Sequence, residues 1–449
     1  MSEDLSGRRV LVLGIGVTGI AVTKFLAARG ARVCVQDDAS ETEIATAIAA
    51  VRPVAEEIRT GGRRWDDPRG FDLVVPSPGV APYGGTLRAA LDTGITVWSE
   101  IELAFRFLRI PLVAVTGSNG KSTTTTLIGE MLRAGGKRTF VGGNLGTPLI
   151  ECAASPQGEE IAVAEVSSFQ LEHVNTFSPR IALFLNLCED HLDRYRSFEE
   201  YAGAKARIFA RQTATDLLIH NAEDAKVVAL VARAAARRRP FSIARSLPEG
   251  IFQRNGVLIR REGGTEEQYS LETMQLTGVH NLENVMAAIL AAREAGVEPP
   301  AIREAMAKFR GLPHRLVHVR DVDGVSYYDD SKATNVGAAV RSIEGFTRPV
   351  ILIAGGKDKG GDYGPLRAAA ARAAKAVVLI GEAAPRIRKE LGGVVRTIPA
   401  DNLADAVARA HEEAEPGDVV LLAPACSSFD MFRSYAERGD LFVRLVKAL

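Results

Sequence analysis

Leu112-Val113-Ala114-Val115-Thr116-Gly117-Ser118-Asn119-Gly120-Lys121-Ser122-Thr123 is the stretch on which the fold turns. A short apolar run enters a glycine-bounded turn, and a Lys-Ser-Thr triplet follows. The run reads as a buried strand and the residues from about Lys121 as a helix. At such a strand-to-helix turn, backbone N–H groups cradle phosphates, the lysine reaches the outer phosphates of ATP, and the first hydroxyl after it ligates Mg²⁺. The general motif G-x-x-x-x-G-K-[ST] asks for glycine at position 115, where Val115 stands, so the loop is a shorter variant. The plain alternative is a Gly-Lys-Ser sequence in a loop that binds nothing.

Outward from this turn, short β-branched runs alternate with Ala-rich helical stretches, the signature of βαβ units and a parallel sheet. Upstream, residues 9–14 (RVLVLG) predict a strand, residues 19–29 a helix stopped by Gly30, and residues 32–36 a second strand. Downstream, residues 161–165 and 181–185 read as buried strands. Residues 250–271 read as a polar hairpin, and residues 281–294 and 300–308 as helices. Past Gly311-Leu312-Pro313, strands are expected at 325–329, 349–354, 376–380 and 419–422, with a terminal helix from about Ser428. The expectation is an α/β protein of three domains. Residues 1–108 form a Rossmann-like domain, 109–311 a central P-loop-type ATPase domain with a parallel sheet, and 312–449 a Rossmann-like α/β domain. A chain of 449 residues is too long for one core, which agrees.

A second glycine turn, Gly14-Ile15-Gly16-Val17-Thr18-Gly19, also joins strand to helix, and Asp37 ends the next strand. It has the form of a diphosphate cradle. Alone it allows an NAD-dependent oxidoreductase, a reading that leaves residues 116–123 without a purpose. It also allows a turn needed only for packing.

Bulk properties narrow the classes. Lys plus Arg equals Asp plus Glu, 55 against 55, so no electrostatic surface for nucleic acid or membrane is implied. The four cysteines are scattered without a C-x-x-C pair, which fits a reducing compartment. The polar N-terminus is unlike a signal peptide, and no apolar run approaches the roughly 18 residues of a membrane span. A cytoplasmic enzyme is expected.

The loop T-G-[ST]-x-G-K-[ST]-[ST] resembles the ATP loop of the Mur ligase family and of folylpolyglutamate synthetase. Further motifs similar to that family's follow in its order across nearly the whole chain. Gly143-Asn144-Leu145-Gly146 is similar to a substrate-contacting G-N-[IL]-G loop. Glu165-Val166-Ser167-Ser168-Phe169-Gln170-Leu171 is similar to E-[VL]-S-S-[FY]-Q-L, whose Glu helps to hold Mg²⁺. Asn186-Leu187-Cys188-Glu189-Asp190-His191-Leu192-Asp193 resembles N-[IVL]-x-x-D-H-L-D, whose His is a ligand of a second Mg²⁺. Tyr201-Ala202-Gly203-Ala204-Lys205 resembles Y-x-x-A-K, whose Lys is carbamylated in relatives. Thr277-Gly278-Val279-His280-Asn281-Leu282-Glu283-Asn284 resembles a box that seats adenine, and Asn281 is the residue carried over. Gly311-Leu312-Pro313-His314-Arg315-Leu316 resembles a hinge whose Arg reaches the phosphates, with Val317 where many relatives have Glu.

The resemblance implies an ATP-dependent carboxylate–amine ligase that passes through an acyl phosphate and closes its domains during turnover. It implies that Gly117, Ser118, Asn119, Gly120, Lys121, Ser122, Thr123, Asn281, Arg315 and Asp330 bind ATP. Lys121, Glu165, His191 and Lys205 carry catalysis. Two Mg²⁺ ions are expected, with Ser122, Glu165, His191 and a carbamylated Lys205 as ligands. The partners are small molecules, and the protein is expected to be a monomer.

Tyr328-Asp329-Asp330-Ser331-Lys332-Ala333-Thr334-Asn335 is similar to the D-S-K-[AG]-T-N segment of the family's D-glutamate-adding member. It differs from the H-H-P-T-E and D-Y-A-H-T-P segments of the siblings, and the diaminopimelate motif D-N-P-R is not found. The implied reaction adds D-glutamate to UDP-N-acetylmuramoyl-L-alanine, in peptidoglycan synthesis. Alternatives are a sibling ligase or a folylpolyglutamate synthetase-like ligase with another amino acid. For a dicarboxylate, cationic and hydroxyl donors are expected. Lys332, Thr334, Lys359 and Ser428 match such positions, and Tyr435 falls where relatives often have Phe. Asn144 and Ser167 approach substrate. The first glycine turn then holds the UDP diphosphate, through Gly16, Thr18, Asp37 and Ser77. After that Asp some relatives have Thr-Arg; here Asp38-Ala39 follow.

Overall fold

The computed structural model describes residues 4–154, 157–191, 194–276 and 278–449. Leu192 and Asp193 of the fourth motif and Thr277 of the adenine box lie outside them.

Each third of the sequence builds its own sheet, with helices packed against it. In the first, four parallel strands lie in the order Glu57–Arg59, Arg32–Gln36, Arg9–Leu13, Leu73–Pro76. The second has nine strands. Thr139–Gly143, Ile161–Glu165, Leu112–Thr116, Ile181–Phe184, Leu217–Asn221 and Arg237–Ser242 run parallel across it. Gly250–Arg254 continues parallel, and Val257–Glu262 and Thr265–Ser270 then fold back antiparallel, with Thr265–Ser270 at the edge. The third sheet has six strands in the order Val317–Val322, Val325–Asp329, Val419–Leu422, Val350–Gly355, Ala374–Ile380, Arg396–Pro399. Only its first pair is antiparallel.

The strands read from sequence as continuous apolar runs are buried on both faces, as parallel strands between helix layers must be. Leu112–Thr116, Ile161–Glu165 and Val419–Leu422 are buried at every residue. Two expectations are corrected. Residues 250–271 form three strands, because two tight turns interrupt them. Asn255-Gly256 and Gly263-Gly264 all have positive φ, the geometry that reverses a two-residue hairpin. The terminal helix is Tyr435–Ala448 and does not begin near Ser428. Ser434 caps it, accepting the N–H of Glu437 at 3.1 Å, and such a cap fixes a helix start.

The chain gathers into two compact units. One runs to Asn186 and takes in Glu199–Thr273 and Glu283–Ala307; the other comprises Leu187–Phe198, Met274–Leu282 and Lys308–Leu449. The first unit therefore holds both the first and second sheets. Helix Glu100–Phe107 joins them: the buried Glu102 carboxylate accepts N–H groups of Asn175, Thr176 and Phe177, between 2.9 and 3.0 Å. Among the described residues no helix is long and apolar enough to cross a membrane.

Candidate active site

In parallel sheets, ligand loops lie beyond the carboxyl ends of the strands. All three sheets place some of the singled-out residues there, while Lys205, Asn281 and Tyr435 lie on helices.

In the first sheet, strand Arg9–Leu13 turns through Gly14, and helix Val17–Ala27 begins with no side-chain cap. Its first N–H groups and dipole therefore face outward. Asp37 shapes the turn, accepting Ile15 N–H and Ala39 N–H at 2.8 and 2.9 Å. Ser77 donates to Gly14 O at 2.8 Å. A Cβ on Gly19 would fall 1.9 Å from Gly14 O, so only glycine allows this close approach. A cavity of about 750 Å³ opens here, lined by Gly16, Thr18, Asp37, Asp38, Arg64 and Ser77 among others. Four sequence-predicted residues thus share one cavity. Arg64 was missed. It pairs with Asp38 through two 2.8 Å contacts, placing a guanidinium on the wall beside the Asp38-Ala39 pair.

In the second sheet, strand Leu112–Thr116 leads into the turn at residues 117–120, and helix Lys121–Ala134 starts at Gly120, φ +83°. A Cβ on Gly120 would lie 2.2 Å from Asn284 Oδ1. Lys121 Nζ donates to Gly117 O and Ser118 O, both at 2.9 Å. Lys205 Nζ is buried and donates to Gly117 O at 2.9 Å, so two ammonium groups meet one carbonyl. Asn186 clamps the loop. Its Oδ1 accepts Asn119 N–H at 2.8 Å, its Nδ2 donates to Asn119 O at 3.0 Å, and its carbonyl accepts Ser118 N–H at 3.0 Å. Ser118 and Tyr201 hydroxyls are 3.0 Å apart. Asn186, Tyr201 and Asn284 belong to the quoted motifs but were not singled out as site residues.

Glu165 ends the strand next to Leu112–Thr116, level with Val115 and with Gly143 on its other side. Asn144 Nδ2 donates to Glu165 Oε1 at 2.7 Å. Ser167 caps the short helix Ser168–Leu171 in a reciprocal capping box with Gln170. Ser122 and Glu165 are buried oxygen donors of the kind Mg²⁺ takes. Among the described residues no group of three or more His, Cys, Asp and Glu gathers as a complete cage. The donor set fits an ion that draws the rest of its shell from phosphate and water, as Mg²⁺ does.

In the second unit, Asp190 is a hub. It accepts Asn335 Nδ2 at 3.0 Å and Lys359 Nζ at 3.1 Å, and its Oδ2 lies 3.6 Å from His191 Nε2. His191 itself has φ +57°, a strained conformation for a non-glycine residue. The loops after strands Val325–Asp329, Val419–Leu422 and Val350–Gly355 carry Lys332 and Thr334, Ser428, and Lys359 respectively. Lys332 Nζ sits 3.7 Å over the Tyr435 ring, a cation–π contact. Asp330 is buried and accepts Leu316 N–H at 3.2 Å and the Ser342 hydroxyl; burial pushes its pKa up to about 6. His280, beside Asn281, is pushed down to about 4 by burial, with Arg341 and Arg315 adding to the effect. It is neutral at pH 7. Asn281 is buried and its N–H bonds Gly278 O at 3.1 Å.

Comparison with known proteins follows the same order along the chain. Residues 8–99 match the Mur ligase MurD-like N-terminal domain, 115–292 the Mur ligase middle domain, and 314–426 the Mur ligase glutamate ligase domain. UDP-N-acetylmuramoylalanine–D-glutamate ligase of Geotalea daltonii is 46% identical over 446 residues, 99% of this chain and 98% of its own. The ligase of the same name from Geotalea uraniireducens is 47% identical over the same shares. Among solved structures, a pseudomurein peptide ligase type C from Methanothermus fervidus shares the fold, with a TM-score of 0.63 and 16% identity. That match covers 98% of this chain and 100% of the other.

Proposed function

This chain belongs to the Mur ligase family, and on that premise we propose that it joins D-glutamate to UDP-N-acetylmuramoyl-L-alanine with cleavage of ATP to ADP and phosphate, in peptidoglycan precursor synthesis. The observation that carries this reading is the end-to-end correspondence with ligases named for that reaction. The two glycine turns support it, since one suits a sugar-nucleotide diphosphate and the other ATP.

In this reading the cavity over Gly16, Thr18, Asp37 and Ser77 holds the UDP moiety, and Asn144 and Ser167 face the muramoyl peptide. The L-alanyl carboxylate attacks the γ-phosphorus, ADP leaves, and an acyl phosphate forms. Lys121 lets go of the carbonyls of Gly117 and Ser118 and follows the charge as it moves to the leaving oxygen. Arg315 is assigned to the phosphates, Asn281 to adenine and Asp330 to the ribose. The D-glutamate amine then attacks the acyl carbon, the C–O bond to phosphate breaks, the nitrogen's proton leaves with the departing phosphate, and an amide remains. Lys332, Thr334, Lys359 and Ser428 are assigned to the D-glutamate carboxylates and Tyr435 to its methylenes.

Ser122, Glu165, His191 and Lys205 are assigned to Mg²⁺, two ions in all with His191 a ligand of the second, and these would neutralise phosphate charge. We assign a carbamate to Lys205, because an anionic oxygen there would suit a metal where an ammonium opposes it. We take the domain boundaries near residues 108 and 311, supported by the confinement of each sheet to one third of the sequence. A cytoplasmic monomer is the accompanying reading; no disulfide forms among the described residues, in keeping with a reducing compartment.

The test is phosphate release from ATP, Mg²⁺ and UDP-N-acetylmuramoyl-L-alanine with D-glutamate, L-glutamate, L-alanine or meso-diaminopimelate. Release with D-glutamate alone is expected. Release with a different amino acid would keep the ligase and reassign the C-terminal loops.

A further inference from the structure

Arg438 has 0% of its surface exposed, and it is the largest of the fully buried side chains. It rises from the first turn of helix Tyr435–Ala448 into the space behind the loops at the carboxyl edge of the third sheet. Its Nε donates to Ser331 Oγ at 2.9 Å and its Nη2 to Ser331 O at 2.8 Å. On the other side Nη1 and Nη2 approach Cys426 O, and Nη1 approaches Ser427 O, all at 3.4 Å. Ser427 in turn exchanges backbone hydrogen bonds with Lys357, of 2.9 and 3.2 Å. One guanidinium therefore ties residues 331, 426 and 427 together directly, and reaches residue 357 through one more bond. Each of these loops carries residues assigned above to D-glutamate.

The partners are unusual for an arginine. All are carbonyls or a hydroxyl, and Arg438 forms no ion pair among the described residues. Asp430 and Asp329 act on it from a distance, but neither forms an ion pair with it among the described residues. Burial lowers its pKa to about 10, which leaves it charged at neutral pH. A hydrocarbon of similar volume would fill this space without burying a charge. What a hydrocarbon would lack is a planar fork that fixes loops in register.

We propose that Arg438 is a positioning residue for the amino-acid substrate, which it does not touch, setting the loops of Lys332 and Ser428 in register. This rests on the D-glutamate reading above. Arg438→Lys keeps the charge and loses the fork; Arg438→Met loses both at similar volume. Steady-state constants for all three substrates are measured in each, with thermal unfolding as a check of folding. For Arg438→Met, KM for D-glutamate should rise by about ten- to a hundredfold, the size of a lost charge-assisted interaction. KM for ATP and for the UDP-sugar should stay within about twofold, and Arg438→Lys should fall between. Added guanidinium ion should restore part of the D-glutamate affinity to Arg438→Ala, which a general loss of stability would not allow. Parallel changes in all three KM values, or an unchanged KM for D-glutamate, would overturn the proposal. If Arg438→Met does not fold, Arg438→Lys decides by the same split. Should the unaltered enzyme itself not use D-glutamate, the functional reading fails, and that result is separate from any variant's behaviour.

Discussion

The two glycine turns sit in one compact unit, follow the same strand-to-helix plan, and have different surroundings. The turn at residues 14–19 is an open cradle. Its helix start is uncapped, it faces a cavity of about 750 Å³, and Arg64 on the wall is paired with Asp38. The turn at residues 116–123 is packed from both sides by Asn186 and Asn284, with two ammonium groups turned onto Gly117 O. A diphosphate that is only held keeps its charge throughout, so backbone N–H groups and a helix dipole serve. A phosphoryl group in transfer shifts charge between oxygens, and mobile or preorganised cations are needed to follow it. Glycine spacing alone does not separate the two cases; in the proposed reading Lys121 does.

That contrast can be broken most directly at Lys121. Lys121→Ala is expected to lower kcat by about 10³-fold, as removal of a preorganised transition-state charge does, while calorimetric binding of the UDP-sugar stays unchanged. A variant within tenfold of the parent would make both turns mere cradles. Lys205→Ala should lose about 10²-fold and regain activity when a short carboxylic acid is added; an active variant indifferent to the acid would remove the carbamate from the scheme. For the open turn, Gly19→Ala drives a Cβ into Gly14 O, an overpacking of about 1–3 kcal/mol. It should raise KM for the UDP-sugar about tenfold, and equal damage to KM for ATP would show that the two turns are not independent.

The smallest effect probes the seam between the two regions. Glu100 is fully buried, accepts Ile150 N–H at 2.6 Å, and burial pushes its pKa up to about 7. Its folded-state value lies above the unfolded one, so the folded protein keeps the proton longer. Stability is therefore lost as pH rises from about 4.5 to about 7 and is level beyond. Glu100→Gln should flatten the Tm–pH slope in that window and add about 1–3 kcal/mol at pH 8. An identical slope in both proteins would mean that Glu100 does not titrate there.

What was legible in the sequence was local. Apolar runs of five residues named the parallel strands, since burial on both faces leaves no alternation to misread. Lys121 and Ser122 were legible because loop and helix start are contiguous. The second of two hairpin turns, Gly263-Gly264, went unread among charged residues, and Ser434 gave the terminal helix a later start than its apolar pattern suggested. Arg64 and Arg438 were missed for another reason. Arg64 meets Asp38 from 26 residues away and Arg438 meets Ser331 from 107, and no spacing rule reaches that far.

The second sheet ends in an edge strand, Thr265–Ser270, paired on one side only, and an outer row of N–H and C=O groups is a template for another chain's strand. The strand reads Thr-Glu-Glu-Gln-Tyr-Ser, short and acidic, with Glu266 exposed beside Arg261 and only Tyr269 fully turned inward. Charge at that rim makes a second copy an unwelcome neighbour. The antiparallel extension thus terminates a sheet whose inner strands, left bare, would invite aggregation at the concentrations a crowded cell imposes.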